Sequence, residues 1–274
     1  MVGTNDFELG HGEAICVPTI GTPTSQIKWS LLLNRRFRSH RINAVATPFD
    51  LPPDSLPGFL EIIRASKSVR GFSATIPHKI SLVSMMDHLT PRATRAGAVN
   101  VVIKDNDTGQ LTGDIIDGVG FMKSLDREGV TVENGRLLVV GGGGVARAMV
   151  ASILDRPIAS LSVADIDPSR TRDLARMHPR VDCLPVEEAL LRLDSFDIVI
   201  NATPLGMKGD DPLPFDPAGC DPRACIFDCV NAPGGTPLAH RAESRGIKFI
   251  DGSGMLELQL DTFLDLLELH PAPQ

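Results

Sequence analysis

The segment RLLVVGGGGVARAMVASIL (residues 136–154) decides the fold class of this chain. The run RLLVV is almost entirely apolar, as is typical of a buried parallel strand. Four glycines follow at 141–144, and an apolar-rich stretch with helical spacing follows them. A strand that passes through a glycine-rich turn directly into a helix is the first unit of a doubly wound dinucleotide-binding domain.

Further strands and helices alternate on the C-terminal side of this segment. Helical stretches are predicted at about 169–177, 186–193 and 237–245. The predicted strands are SLSVADID (160–167), FDIVINAT (196–203), CIFDCV (225–230) and IKFIDG (247–252). This alternation predicts a parallel sheet covered by helices, so residues 118–249 are expected to form a Rossmann-type domain.

The N-terminal part predicts a second α/β domain with a parallel sheet. Its strands are AICVPTI (14–20), INAVATPF (42–49) and GFSATIP (71–77), with helices at about 26–38 and 55–68. VNVVIK (99–104) and QLTGDII (110–116) predict an antiparallel hairpin. The last amphipathic stretch, 254–269, is expected to pack back onto this domain, which would then comprise residues 1–117 and 250–274.

Composition excludes several classes of partner. The chain of 274 residues has 27 basic and 34 acidic residues, a net charge of −7, which argues against nucleic acid. It has no apolar run long enough to span a membrane, and its first twenty residues carry no Lys or Arg. Its five cysteines form no CxxC pair, so we expect reduced thiols, no metal site and a cytoplasmic location. The oligomeric state, monomer or homodimer, stays open.

The glycine loop and the strand after it predict the cofactor. Glycines let the backbone approach a pyrophosphate, and the following helix N-terminus favours its charge. Asp165 and Asp167 lie near the spacing of roughly 20 residues at which an acid binds the adenine ribose, which favours NAD over NADP. The competing interpretation uses Arg170 and Arg172 to hold a 2′-phosphate.

Several polar residues follow or precede predicted strands and are candidates for catalysis. Thr75 and Lys79 follow a strand, where α/β sheets bind ligands. Asn100 precedes the hairpin, and Asp117 follows it. Three of these residues also have an ordinary explanation when each is taken alone. Lys79 could be a surface charge, Asn100 a turn former and Asp117 a helix cap.

Taken together, a set of strings resembles the shikimate/quinate dehydrogenase family over nearly the whole chain. The strings are TPTS (22–25), SATIPHK (73–79), AGAVN (96–100), GDIIDG (113–118), GGGGVAR (141–147), INATPLGM (200–207), GGTPL (234–238) and DGSGMLELQ (251–259). The resemblance implies a NAD(P)-linked oxidoreductase of aromatic amino acid biosynthesis that interconverts shikimate and 3-dehydroshikimate, a small carboxylate, without a metal.

The resemblance also implies a role for individual residues. Lys79 and Asp117 match the catalytic acid–base pair. The positions that match substrate-binding residues are Thr22, Thr24, Thr75, Asn100 and Gln259. The positions that match cofactor-binding residues are Gly141, Gly143, Gly144, Val145, Ala146, Asp165, Asp167, Asn201, Thr203 and Gly254.

The chain departs from the family pattern at several positions. Threonines replace a serine pair at 22 and 24, and Ile115 and Ile116 replace Asn-Thr beside Asp117. The chain has no tyrosine, and Asn231 lies nearest the family's substrate-contacting tyrosine. Asp165-Ile166-Asp167 replaces Asn-Arg-Thr, which again favours NAD. These changes leave open quinate or a related cyclic acid as substrate, or a nicotinamide-binding sensor without turnover.

Overall fold

The computed structural model describes Gly10 and residues 12–208, 210–230, 232 and 234–271, apart from the side chain of Gln26. Asn231 therefore lies outside the described residues. The chain folds as two compact units. Unit 1 comprises residues 1–116 and 259–274, and unit 2 comprises residues 117–258.

Unit 2 is a six-stranded parallel sheet with α-helices between successive strands, with one exception. The strands are β7 (Arg136–Val140), β8 (Ser160–Ala164), β9 (Val181–Cys183), β10 (Ile198–Asn201), β11 (Cys225–Asp228) and β12 (Lys248–Asp251). Their order is β12-β11-β10-β7-β8-β9, the doubly wound order that the sequence predicts. The helices are α5 (Asp117–Arg127), α6 (Gly144–Ile153), α7 (Pro168–Met177), α8 (Val186–Leu190), α9 (Pro237–Ser244) and α10 (Ser253–Glu257). The exception is the connection between β10 and β11, which contains a 3-10 turn at Pro217–Gly219.

Unit 1 is a six-stranded mixed sheet. The strands are β1 (Ile15–Gly21), β2 (Ala44–Asp50), β3 (Gly71–Ala74), β4 (His88–Leu89), β5 (Val101–Lys104) and β6 (Leu111–Asp114), in the order β2-β1-β3-β5-β6-β4. β1 pairs in parallel with β2 and β3, whereas β5 and β6 form the predicted antiparallel hairpin. The helices are α1 (Trp29–Ser39), α2 (Leu56–Ala65), α3 (His78–Ser81), α4 (Pro91–Ala96) and α11 (Leu260–Leu266).

The sequence pattern predicts most elements of both units and misses β4, β9 and α4. β4 and β9 have two and three residues, too few for a period to show. α4 instead begins at a local signal, Thr90, whose hydroxyl accepts a hydrogen bond from the N–H of Ala93.

The unit boundaries lie at 116/117 and 258/259, whereas the sequence predicts 117/118 and 249/250. A boundary at 249/250 would cut β12, which pairs with β11 along its full length. α10 also packs against α5 within unit 2. The sequence predicts that the chain rejoins the first domain from residue 250 onward. In the structure it belongs to unit 1 only from Gln259 onward. No helix within the described ranges has the length and apolar character needed to cross a membrane.

Candidate active site

The glycine loop of unit 2 connects β7 to α6 and is open on one side. Gly141 has a φ of +114°, and its N–H donates to the carbonyl of Ala164 at 2.7 Å. A Cβ on Gly141 would lie 2.8 Å from the backbone of Ala202, so the loop passes directly against the end of β10. A Cβ on Gly143 would meet no described atom within 4 Å. The loop therefore has space for a ligand at Gly143.

The backbone at the N-terminus of α6 borders the open space beside Gly143. Gly143 is the N-cap and contributes no side-chain hydrogen bond, and the described first turn, which starts at Gly144, carries no acid. The first N–H groups of a helix have no partner within the helix, and the helix dipole favours an anion there. Ala146 is fully buried in the core of unit 2, and Val145 packs against that core. These residues fit the pyrophosphate of a dinucleotide.

Asp165 is a structural brace of the glycine loop. Its side chain is 6% exposed. One carboxylate oxygen accepts from the N–H of Gly142 at 2.7 Å, and the other accepts from the N–H of Asp167 at 2.8 Å. Because both oxygens bind backbone amides of this unit, the carboxylate braces the glycine loop.

Asp167 and Arg170 form the exposed edge of this region. Asp167 caps α7 by accepting from the N–H and hydroxyl of Ser169, and these bonds lower the pKa of its carboxyl. The Arg170 guanidinium lies 3.7 Å from Asp165 and 3.6 Å from Asp167, and its side chain is half exposed. Arg172 is also exposed on α7. Among the described residues near the glycine loop, Arg170 thus has a guanidinium that an anion can approach.

Asn201 and Thr203 hold the loop after β10. The amide nitrogen of Asn201 donates to the carbonyl of Leu205 at 3.2 Å and to Asp228 at 2.8 Å. Its amide oxygen accepts from the N–H and the hydroxyl of Thr203 at 3.0 and 2.7 Å. Asn201 is fully buried, so its side chain positions the loop, and any contact with a cofactor stays a prediction.

Asp228 is a site-shaping residue that the sequence analysis did not single out. It is fully buried at the end of β11, and burial raises the pKa of its carboxyl. It accepts hydrogen bonds from Asn201, the N–H of Val230 at 3.0 Å and the hydroxyl of Thr236 at 2.8 Å. An acid directly after a buried strand was the available signal. Gly254 lies in α10 of unit 2, where the guanidinium of Arg127 occupies the space beside it, and its contact with a cofactor stays a prediction.

The polar residues of unit 1 gather where β1 and β3 end. The N–H of Thr75 donates to the carbonyl of Ile20 at 2.9 Å, and the N–H of Thr22 donates to the carbonyl of Ile76 at 3.0 Å. These bonds tie the loop that carries Thr22 and Thr24 to the loop that carries Thr75. All three threonine side chains are partly buried.

Asn100 connects three segments of the same region. Its backbone N–H donates to the carbonyl of Asp114, and its carbonyl accepts from the N–H of Ala74, both at 2.9 Å. Its side-chain oxygen accepts from the N–H of Ile116 at 2.9 Å. Asn100 thus fixes the end of the hairpin relative to the end of β3.

Lys79 and Asp117 are both buried ionisable residues. Lys79 is 7% exposed in unit 1, and its carbonyl accepts from the N–H of Val99, the neighbour of Asn100, at 2.7 Å. Asp117 is 4% exposed and begins α5 of unit 2, one residue after Ile116. Charged side chains are rarely buried without a functional or pairing reason.

His78, next to Lys79, serves the structure of unit 1. Its ring Nε2 lies 2.8 Å from the carbonyl of Leu51, and the residue is 1% exposed. Burial lowers the pKa of the imidazole, against the opposing effect of the Leu51 carbonyl. The ring therefore fills an internal space of unit 1.

Gln259 precedes α11 in unit 1 and is 2% exposed. Its side-chain nitrogen has no hydrogen-bond partner among the described residues. A buried amide N–H without a partner costs free energy, so a ligand that accepts from it would be stabilised.

The two sheets, the open glycine loop and the buried lysine define the class of an α/β nucleotide-dependent oxidoreductase. Residues 19–102 match the family model of the shikimate dehydrogenase substrate-binding domain. A shikimate dehydrogenase (NADP(+)) from Rhodospirillum rubrum is 35% identical over 252 residues, covering 89% of this chain and 88% of the relative. The chain belongs to the shikimate dehydrogenase family. The predicted family and the predicted enzyme class, an oxidoreductase acting on CH–OH, are thereby confirmed.

Solved structures agree with this assignment. Shikimate dehydrogenase from Aquifex aeolicus has a TM-score of 0.86 at 26% identity and covers 96% of this chain and 95% of its own. Shikimate 5-dehydrogenase from Thermus thermophilus, in complex with NADP(H) and shikimate, has a TM-score of 0.82 at 26% identity and covers 94% and 95%. The predicted fold class, two α/β domains of which one is Rossmann-type, is confirmed.

The predicted preference for NAD is wrong. The Rhodospirillum rubrum relative and further curated relatives at 33–35% identity are all named as NADP(+) enzymes. The acid on which that prediction rests, Asp165, braces the glycine loop by accepting from the N–H groups of Gly142 and Asp167, and the half-exposed side chain of Arg170 lies beside it. The acid at the expected spacing has a structural role, which its spacing alone does not reveal.

Proposed function

We propose that this chain catalyses the reversible oxidation of shikimate to 3-dehydroshikimate with NADP⁺. The observation that carries the proposal is the buried Lys79, held beside Asn100 in the unit whose sequence matches the substrate-binding family model. The names of the curated relatives support both the substrate and the cofactor.

Lys79 and Asp117 supply the acid–base chemistry in this proposal. The dinucleotide, when bound, accepts a hydride from the carbon that bears the reacting hydroxyl. Lys79 takes up the hydroxyl proton in the oxidation direction, and in the reduction direction its ammonium stabilises the developing alkoxide and donates that proton to it. Asp117, which is buried like Lys79, is the second member of this pair, at the position that the family resemblance matches to the catalytic aspartate.

Hydroxyl and amide groups of unit 1 hold the substrate. Thr22 and Thr24 donate to the carboxylate, and their loop is kept in place by the bond from Thr22 to Ile76. Asn100 and Gln259 present amide groups to the ring hydroxyls. Gln259 fits this role because its buried side-chain nitrogen has no partner in the described part of the chain.

The glycine loop and Arg170 hold the cofactor. The pyrophosphate binds beside Gly143 at the N-terminus of α6. The Arg170 guanidinium, half exposed beside the loop, binds the 2′-phosphate that distinguishes NADP from NAD. This arrangement uses the basic residue that the sequence analysis kept as the competing interpretation.

An absorbance assay at the reduced-nicotinamide band tests the function. The purified protein is given NADP⁺ with shikimate or with quinate, in separate reactions. We expect turnover with shikimate. Turnover with quinate alone would shift the assignment to a quinate dehydrogenase, and tight NADP⁺ binding without turnover of either acid would support the sensor.

Lys79→Met tests the catalytic assignment. We expect kcat to fall at least about a hundredfold, the usual contribution of general acid–base catalysis, with unchanged NADP⁺ affinity. Lys104→Met is the matched control, because Lys104 is an equally buried lysine of unit 1 whose ammonium binds the Ser66 carbonyl. Near-normal kcat in Lys79→Met would remove Lys79 from the mechanism.

A further inference from the structure

Asp114, the last residue of β6, carries a buried carboxylate that is bonded on both oxygens. One oxygen accepts from the hydroxyl of Thr90 at 2.6 Å, from Nε of Arg92 at 2.6 Å and from the N–H of Ile115 at 2.7 Å. The other oxygen accepts from Nη2 of Arg92 at 2.6 Å. The guanidinium therefore binds both oxygens, which compensates the buried charge and fixes the orientation of the carboxylate.

The backbone around Asp114 is connected to both candidate catalytic residues. The carbonyl of Asp114 accepts from the N–H of Asn100, and the side chain of Asn100 accepts from the N–H of Ile116, both at 2.9 Å. Ile116 directly precedes Asp117 in the chain. The residue before Asn100 donates its N–H to the carbonyl of Lys79 at 2.7 Å. A few hydrogen bonds thus link the carboxylate to the backbone of both residues.

The two residues between Asp114 and Asp117 have no polar side chain. They are Ile115 and Ile116, which are 3% and 1% exposed. Their backbone N–H groups instead hold this segment, and these donate to the side chains of Asp114 and Asn100. A carboxylate that arginine keeps in one orientation gives the N–H of Ile115 a fixed acceptor.

We propose that Arg92 and Asp114 are a positioning pair for the proposed reaction. The arginine fixes the carboxylate, and the carboxylate fixes the backbone segment that leads into Asp117. The inference rests on the proposed function, in which Lys79 and Asp117 supply the acid–base chemistry. The position of such groups matters strongly, since a displacement of about 1 Å can slow an enzyme about a hundredfold.

A second ion pair contacts the other end of β6 and provides a matched control. Arg64 binds Asp87, and Asp87 accepts from the N–H of Leu111, the first residue of β6, at 2.7 Å. The side chains of Arg64 and Arg92 are each 34% exposed. Each arginine thus orients a carboxylate that binds a backbone N–H, but Arg92 does so at the end that leads to the candidate catalytic aspartate.

Steady-state kinetics compare the two pairs, with each variant assayed below the onset of its melting. In Arg92→Gln we expect kcat with shikimate to fall about tenfold. The KM for NADP⁺ is expected to stay unchanged, because the glycine loop lies in unit 2. Arg92→Lys should recover part of the lost kcat, since lysine keeps the charge but lacks the fork that binds both oxygens. Arg64→Gln should keep near-normal kcat.

Amide hydrogen exchange, measured by NMR, gives a readout that does not depend on turnover. In Arg92→Gln the N–H of Ile115 is expected to exchange faster, while that of Leu111 keeps its wild-type rate. Arg64→Gln is expected to show the opposite pattern. An unchanged exchange rate at Ile115 in Arg92→Gln would overturn the inference.

The kinetic outcomes separate the inference from the function. Equal kcat in Arg92→Gln and Arg64→Gln, in a protein that turns shikimate over, overturns the inference alone. Absence of shikimate turnover in the wild type overturns the proposed function and the inference with it. If Arg92→Gln does not fold, Arg92→Lys is compared with Arg64→Lys. A lower kcat in Arg92→Lys then supports the inference, and equal values overturn it.

Discussion

At the residue scale, the cofactor region shows how one acid can be misassigned. Asp165 lies where a ribose-binding acid is expected, yet its two oxygens bind the amides of Gly142 and Asp167. A Cβ on Gly142 would lie 2.8 Å from the Cβ of Arg170, so the arginine packs directly on the loop. Arg170, whose guanidinium lies beside Asp165 and Asp167, is half exposed and can be approached by an anion.

Arg170→Gln tests this reassignment. We expect the KM for NADP⁺ to rise about tenfold or more, since a charge-assisted bond to the 2′-phosphate is lost, while the KM for NAD⁺, which lacks that phosphate, does not rise. Arg176→Gln, at a more exposed arginine of α7 paired with Asp173, is the matched control. An equal KM for NADP⁺ in the two variants would contradict the role of Arg170.

At the scale of elements, two glycines of the same loop have different physical roles. Position 141 requires glycine for the fold. The φ of Gly141 is +114°, and a side chain there would collide with the backbone of Ala202. Gly143 has an ordinary extended backbone, with φ of −74°, and open space beside it. Its missing side chain matters only for a ligand.

The pair Gly141→Ala and Gly143→Ala separates these roles. Gly141→Ala is expected to lower the free energy of unfolding by about 2 kcal/mol or more, through strain and collision. Gly143→Ala is expected to keep the melting temperature and to raise the KM for NADP⁺ severalfold, because its methyl group occupies the pyrophosphate position. Denaturant unfolding and steady-state kinetics measure the two effects. A normal KM in Gly143→Ala would place the pyrophosphate elsewhere.

At the scale of the whole molecule, the chain leaves unit 1 and returns to complete it. α11 and the residues after it bury five apolar side chains in unit 1: Leu260, Phe263, Leu264, Leu267 and Leu269. Leu267 packs over Gly71 of β3, where a Cβ would lie 3.2 Å from its side chain. Arg70 also donates to the carbonyl of Glu268 at 2.9 Å. The last segment is therefore part of the core of unit 1.

Truncation after Leu258 tests that dependence. Each buried apolar side chain stabilises by about 1.5–3 kcal/mol, so the loss of five approaches the whole stability of a typical domain. We expect unit 1 to lose its cooperative unfolding transition and the protein to lose shikimate turnover. Truncation after His270 is the control. A truncated protein that melts like the full chain would contradict this account.

The sequence predicts most of this fold because the long elements carry strong local signals. RLLVV and the glycines that follow predict β7 and α6 at their observed positions. β9 and β4 escape prediction because strands of three and two residues show no periodicity. Thr75 and Asn100 are candidates because they lie directly beside strand ends, where a sheet presents its ligand-binding edge, and Lys79 lies in α3, the short helix after β3.

The sequence by itself determined the order of strands and helices, the family, and the residue types available for catalysis, since these depend on local pattern and on motifs. Only the tertiary structure decided which of those side chains already have hydrogen-bond partners within the protein. Asp165 and Asn201 have their polar atoms bonded within unit 2, whereas Trp29 and Gln259 keep buried donors without a described partner. Hydrogen bonds between distant segments have no signature in local sequence, because they form only when folding brings those segments together.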